Sequence, residues 1–115
     1  LVTKVAGVDV EFRLGWGQLV TLQETCDAGP FVILNRLADG SWKTDDIAAT
    51  LVLGLVGAGR THMEALGIVE GWLDEKNGRL PVENLTLAQA VLGASLVGAP
   101  DEPLGKAAAA DQKIA

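Results

Sequence analysis

Apolar positions cluster most densely in the middle of the chain, where Asp45 to Gly59 reads DDIAATLVLGLVGAG. Ile47, Leu51 and Leu55 fall on one helical stripe, and Ala48, Val52 and Val56 fall on the stripe beside it. A helix apolar over most of its circumference belongs inside a bundle, so this segment is predicted to be the central helix on which the rest packs. Upstream the period changes to two. Val8, Val10, Phe12 and Leu14 alternate with Asp9, Glu11 and Arg13, the pattern of a strand with one buried face. With Val2 to Ala6 it predicts a hairpin that turns near Ala6–Asp9. Two strands alone are marginally stable, so the hairpin must lay its apolar face on helices.

Gly15 breaks the strand, and a first helix is predicted to run to about Cys26, with Trp16, Leu19, Leu22 or Gln23, and Cys26 on one face. Gly29-Pro30 resets the chain, proline being well suited to a first helical position. A short second helix carries Phe31, Ile33, Leu34 and Leu37 and ends at Asp39-Gly40. Thr44 is expected to cap the central helix, with Asp45 and Asp46 favourably placed in its first turn. Thr61-His62-Met63-Glu64 is a capping-box pattern, predicting a helix from His62 to about Glu75 that buries Ala65, Leu66, Val69, Trp72 and Leu73. Asn77-Gly78 is expected to stop it. A last helix begins at Pro81 or Thr86 and carries Leu85, Ala88, Val91, Leu92, Ser95 and Leu96. From Gly98 the periodicity is lost, which predicts a flexible tail containing at most a weak Ala-rich helix over Lys106–Ile114. The expectation is an α+β fold, mainly α, with an N-terminal β-hairpin packed on a bundle of four or five helices. Residues 1–97 form one domain in this reading, and residues 98–115 the tail.

A 115-residue chain is long enough to bury ~two-thirds of its unfolded surface without metal or disulfide staples. Nine Lys and Arg against fifteen Asp and Glu give a net charge of −6, which argues against nucleic acid as a partner and suits a basic protein instead. Cys26 is the only cysteine, so no internal disulfide can form. Lys4, Asp9, Glu11 and Arg13 interrupt any apolar N-terminal run, so no secretory signal is expected there. The central apolar run falls short of the ~20 residues that span a bilayer. The chain is therefore expected to be cytoplasmic, with no membrane partner.

Few residues point to a reaction. Gly54-Leu-Val-Gly-Ala-Gly59-Arg60-Thr61 matches a phosphate-binding loop at both glycines and at Thr61, but Arg60 stands where the lysine belongs. Its flanks carry helical spacing rather than a buried strand, so an ordinary helix–helix turn is expected. His62 is the only histidine and has no second ligand near it in sequence, whereas a metal site wants three or four. Cys26 reads as a small core side chain rather than a nucleophile. Asp45/Asp46 and Asp74/Glu75 are acidic pairs at a helix start and a helix end, with no cleft implied. No enzyme, no metal and no cofactor is expected. Of Trp16, Trp42 and Trp72, each of which can serve the core, Trp42 in its loop beside Ser41 and Lys43 is the one expected to be partly exposed.

Two stretches carry a family resemblance. Phe12-Arg-Leu-Gly-Trp-Gly-Gln-Leu-Val-Thr-Leu-Gln-Glu24, a hairpin running straight into a leucine-bearing helix, resembles the start of the gene transfer agent and phage tail-assembly chaperone family. That family also has a middle helix ending in Gly-Leu-x-Gly-x-Gly, here Gly54-Leu-Val-Gly-Ala-Gly59, after a short helix and a loop. The likeness covers roughly residues 3 to 97 in the order of elements; Trp16 and the Gly71-Trp-Leu-Asp-Glu-Lys helix end depart from it. It implies a non-enzymatic tail assembly factor that binds tape-measure or tail-tube protein, in a family whose members are also described as tail-tube components. The alternative it leaves open is a structural minor tail protein kept in the particle. Tube rings are built from sheets, so the helical pattern favours the chaperone. Candidate partner-binding residues are Thr3 and Val5, on a first strand whose outer edge can accept another strand, and Trp42, which either anchors an interface or folds over the central helix as a lid. Self-association stays open.

Overall fold

The computed structural model describes residues 1–98, so the predicted tail lies outside the described residues apart from Gly98. Two strands, β1 (Val2–Val5) and β2 (Val8–Glu11), are followed by five helices: α1 (Trp16–Cys26), α2 (Pro30–Asp39), α3 (Thr44–Gly57), α4 (His62–Trp72) and α5 (Pro81–Val97). The fold is α+β and mainly α, a hairpin on a bundle of five helices, as the patterning predicts.

Helix α3 is central. Ile47, Leu51, Val52, Leu53 and Leu55 are all buried, and Leu51 is fully so. It packs against α1, α4 and α5, while α2 is held mainly against α5, where Gln89 donates to the Leu37 carbonyl at 2.7 Å. Its cap differs from the expected one. Lys43 takes the N-cap position, Thr44 is the first helical residue, and the Asp46 carboxylate accepts the Lys43 N–H at 2.8 Å. Asp46 is fully buried and also pairs with Arg36 of α2 at 3.3 Å. The Asp46 side chain, three residues into the helix, thus closes the first turn in place of the Thr44 hydroxyl and ties it to α2. At α4 the capping box forms as predicted, with Thr61 accepting the Glu64 N–H at 3.2 Å and Glu64 accepting the Thr61 N–H at 3.0 Å.

Three expectations are corrected. Helix α4 stops at Trp72, not near Glu75, because the Asp74 carboxylate takes the N–H groups of Lys76 and Asn77 for a local turn. Leu73 is exposed in consequence. Trp16 is 83% exposed rather than sharing the buried face of Leu22 and Cys26. Phe31 is exposed in the first turn of α2, where Ile33 and Leu37 form the buried stripe.

The hairpin turns at Ala6-Gly7, whose φ angles of 52° and 81° mark a tight two-residue turn of the primed type that suits twisted strands. Val8 sits at that turn and is exposed; the alternation takes effect only from Val10 onward, with Phe12 and Leu14 buried. Phe12 lies past the end of β2 but still faces Leu1, and the two exchange both backbone hydrogen bonds, at 2.8 and 3.0 Å. Beyond it, Arg13 donates its N–H to the Gly54 carbonyl at 2.8 Å, tying the strand's exit to α3.

Candidate functional site

The glycine-rich stretch that resembles a phosphate loop has a packing role. A Cβ added to Gly54 would meet Val91 and Phe12 at 3.0 and 3.1 Å, and one on Gly57 would fall 1.7 Å from the Arg13 carbonyl oxygen. The chain leaving β2 therefore lies directly on α3 at these two residues. Gly59, at φ 111°, closes the helix: its N–H goes to the Val56 carbonyl at 3.0 Å and that of Arg60 to Leu55 at 3.1 Å, the paired bonds of a Schellman motif. The Ala58 N–H is likewise given to Gly54 and Leu55, so these amides face the carbonyl end of their own helix rather than an open cradle. His62 is exposed, and among the described residues no group of three His, Cys, Asp or Glu lies close enough to hold a metal ion. Cys26 is buried beside α3; burial first, then the carboxylates of Asp46 and Asp45, push its thiol up to about 12.

Two grooves meet at Arg79, on the approach to α5. One, of about 410 Å³, runs between the starts of α3 and α5 and the end of α4, and is walled by Trp42, Ile47, Ala48, Leu73 and Pro81. The other, of about 320 Å³, lies between β1 and α5, bordered by Thr3, Lys4, Val82, Thr86 and Ala90. Arg79 lines both. Its guanidinium carbon stands 6.0 Å over the Trp72 ring, and Nη1 donates to Asn84 Oδ1 at 3.1 Å. Buried Asn84 in turn donates to the Trp72 carbonyl at 3.1 Å. Trp72 tilts against Phe12 with ring centres 6.1 Å apart, so the ridge between the grooves is anchored in the core through an aromatic pair and a cation–π contact.

Of the residues singled out in the sequence, Trp42 is half-buried and forms a wall of the larger groove, packed on the core without closing the groove off. Thr3 is half-buried on the border of the smaller one. The structure thus sets these two on either side of Arg79. Val5 is buried and contributes its side chain to the core. The backbone of β1 separates them further. Because Leu1 and Phe12 form a hydrogen-bonded pair, alternation along the register makes Thr3–Val10 and Val5–Val8 hydrogen-bonded pairs as well. Their N–H and C=O groups point into the hairpin. The groups on the outer edge are those of Val2 and Lys4, and none of them has a hydrogen-bond partner among the described residues.

Arg79 had no signal in the sequence beyond its place in a loop. The exposed apolar side chains of Trp16 and Val20, one turn apart on α1, were also missed, since their spacing fits a buried face equally well. Among the described residues no helix is long and apolar enough to cross a membrane.

A family model described as phage tail tube protein, GTA-gp10, matches residues 1–98. No curated protein and no solved structure gives a match.

Proposed function

This chain belongs to the family described as phage tail tube protein, GTA-gp10, and from that premise we propose that it acts as a tail-assembly chaperone. In this reading it is a cytoplasmic, non-enzymatic factor that binds tape-measure or tail-tube protein while the tail is built. The observation that carries the reading is the balance of secondary structure. The described chain has five helices and a hairpin of two four-residue strands, whereas a tube wall calls for sheets that continue from subunit to subunit. Two grooves flanking Arg79, with Thr3 on one and Trp42 on the other, supply concave, partly apolar surface for a partner. The net charge of −6 keeps the chain soluble while that surface is open.

A second reading, a structural tail protein retained in the particle, is favoured by the family's own description. Co-expression separates the first from it. The soluble fraction of the tape-measure or tube protein encoded beside this chain should rise when the chain is present, and fall back with Trp42→Ala. No gain in solubility for either protein would overturn the chaperone. The expected absence of nucleotide or metal chemistry is checked by titrating ATP with Mg²⁺, and Zn²⁺, against the melting temperature. A ligand at a hundredfold its Kd would add about 2.7 kcal/mol, so a clear rise with either sinks it.

A further inference from the structure

We propose that the outer edge of β1 is a strand-addition site, and that its occupant is an extended segment of a second protein with apolar residues at alternate positions and basic residues between them. The first support is the orientation of the backbone. Val2 and Lys4 turn their N–H and C=O groups away from β2, and another extended chain matches such a row of donors and acceptors. Both residues are exposed, so among the described residues nothing covers the edge.

The second support is the space beside it. A strand added next to β1 would enter the groove of about 320 Å³ that separates β1 from α5. Val82, Thr86 and Ala90 recur every fourth residue along α5 and form its far wall; all three are exposed. Alternate side chains of the incoming strand would therefore meet a wall of mostly small and apolar groups beside Glu83, and those between would face solvent on the side of Lys4, Asp9 and Glu11. Lys4 is already paired with Asp9 at 2.8 Å across the hairpin, while Glu11 on that face is in no ion pair among the described residues.

Charge chooses between a second copy and a different protein. Two copies, each carrying −6, repel one another, while the same field draws in a basic segment. The Lys4 end of the groove reaches Arg79, across which the larger groove at Trp42 begins, so a segment leaving the edge in that direction has an apolar site for a following side chain. The identity of the partner, though not the edge itself, rests on the proposed role in tail assembly.

The test is amide exchange, followed residue by residue by NMR, on the full chain alone over a concentration series and after co-expression with the tape-measure and tube proteins. The expected result is that the Val2 and Lys4 amides become protected in the complex, while those of Thr3 and Val5, already bonded to β2, are protected in both states. Lys4→Pro removes one outward N–H and should lower capture of the partner about tenfold, whereas Lys4→Ala keeps that N–H and should capture nearly as wild type. Ala90→Arg, which fills the groove from the solvent-facing side of α5, should weaken capture without touching the hairpin. A complex in which Val2 and Lys4 exchange as freely as in the chain alone, with both blocking variants still capturing, overturns the strand site and leaves the chaperone reading standing. Absence of any complex overturns the chaperone reading and, with it, the proposed occupant of the edge. Protection that grows with the concentration of the chain alone assigns the edge to a second copy and overturns the proposed occupant.

Discussion

Gly57→Ala tests the packing of the hairpin on α3 with a single methyl group. Its Cβ would sit 1.7 Å from the Arg13 carbonyl oxygen and 2.8 Å from the carbonyl carbon, inside the 3.0 Å that real Cβ atoms keep. Arg13 would have to withdraw by upward of ~1 Å, which stretches its N–H bond to Gly54 beyond useful length. Loss of that bond costs about 0.5–1.5 kcal/mol. Phe12, now 1% exposed, would be drawn off Gly54 and Trp72, forfeiting part of the ~1.5–3 kcal/mol that a buried aromatic contributes. Alanine's better helix propensity returns at most ~1 kcal/mol, and less at a helix end. The net expectation is a loss of about 2–4 kcal/mol, a fall of roughly 1–2 M in the urea midpoint. Gly67, in the exposed interior of α4 with nothing within 4 Å of a would-be Cβ, is the control. Gly67→Ala should raise stability by about 0.5–1 kcal/mol. If Gly57→Ala is also stabilising, the β2 exit does not lie on α3 and the packing argument fails.

Three further predictions concern the core, the turn and the thiol. Leu51→Ala should cost roughly 2–5 kcal/mol in chemical denaturation, since Leu51 is fully buried on the central helix; an unchanged midpoint would contradict its placement. Ala6→Asn should stabilise the hairpin by up to ~1 kcal/mol, because Ala6 holds φ 52° and the turn prefers Asn-Gly; thermal melting reads this out, and a lower melting temperature refutes the turn type. Cys26, with its thiol pushed up from 9.0 to about 12, should not react with a disulfide reagent at pH 8 until the protein unfolds. The raised folded value also means the unfolded chain loses its proton first, so this group's contribution is intact below pH 9 and falls away as pH rises towards 12. Rapid native labelling at pH 8 would show that the site is open.

Patterning revealed the architecture where burial is continuous: α3 through its double apolar stripe, α4 through its capping box, and the extended chain that continues β2 through Phe12 and Leu14. It failed at the ends of elements. Trp16, Phe31 and Leu73 share the spacing of buried residues, but each lies within a turn of a helix terminus and is exposed. The Gly54–Gly59 motif was visible and its chemistry was not. Glycines that admit a crossing backbone and glycines that cradle phosphate look alike until the strand lying on them is seen. Which backbone groups of the first strand face outward was not legible, because it depends on pairing register, and a shift of one residue exchanges Thr3 and Val5 for Val2 and Lys4. The bridging position of Arg79 depends on α4, α5 and the hairpin meeting, which no local pattern encodes.

The central claim, that this helical member of a tail family serves assembly rather than the finished tail, is tested most directly by counting copies. Quantitative mass spectrometry on purified particles, beside the tail intermediates from the same cells, should find the chain bound to the tape-measure or tube protein in the intermediates and depleted from finished particles. A fixed number of copies per finished particle, matching the number of tube rings or a multiple of it, would contradict the account and make this chain part of the tail itself.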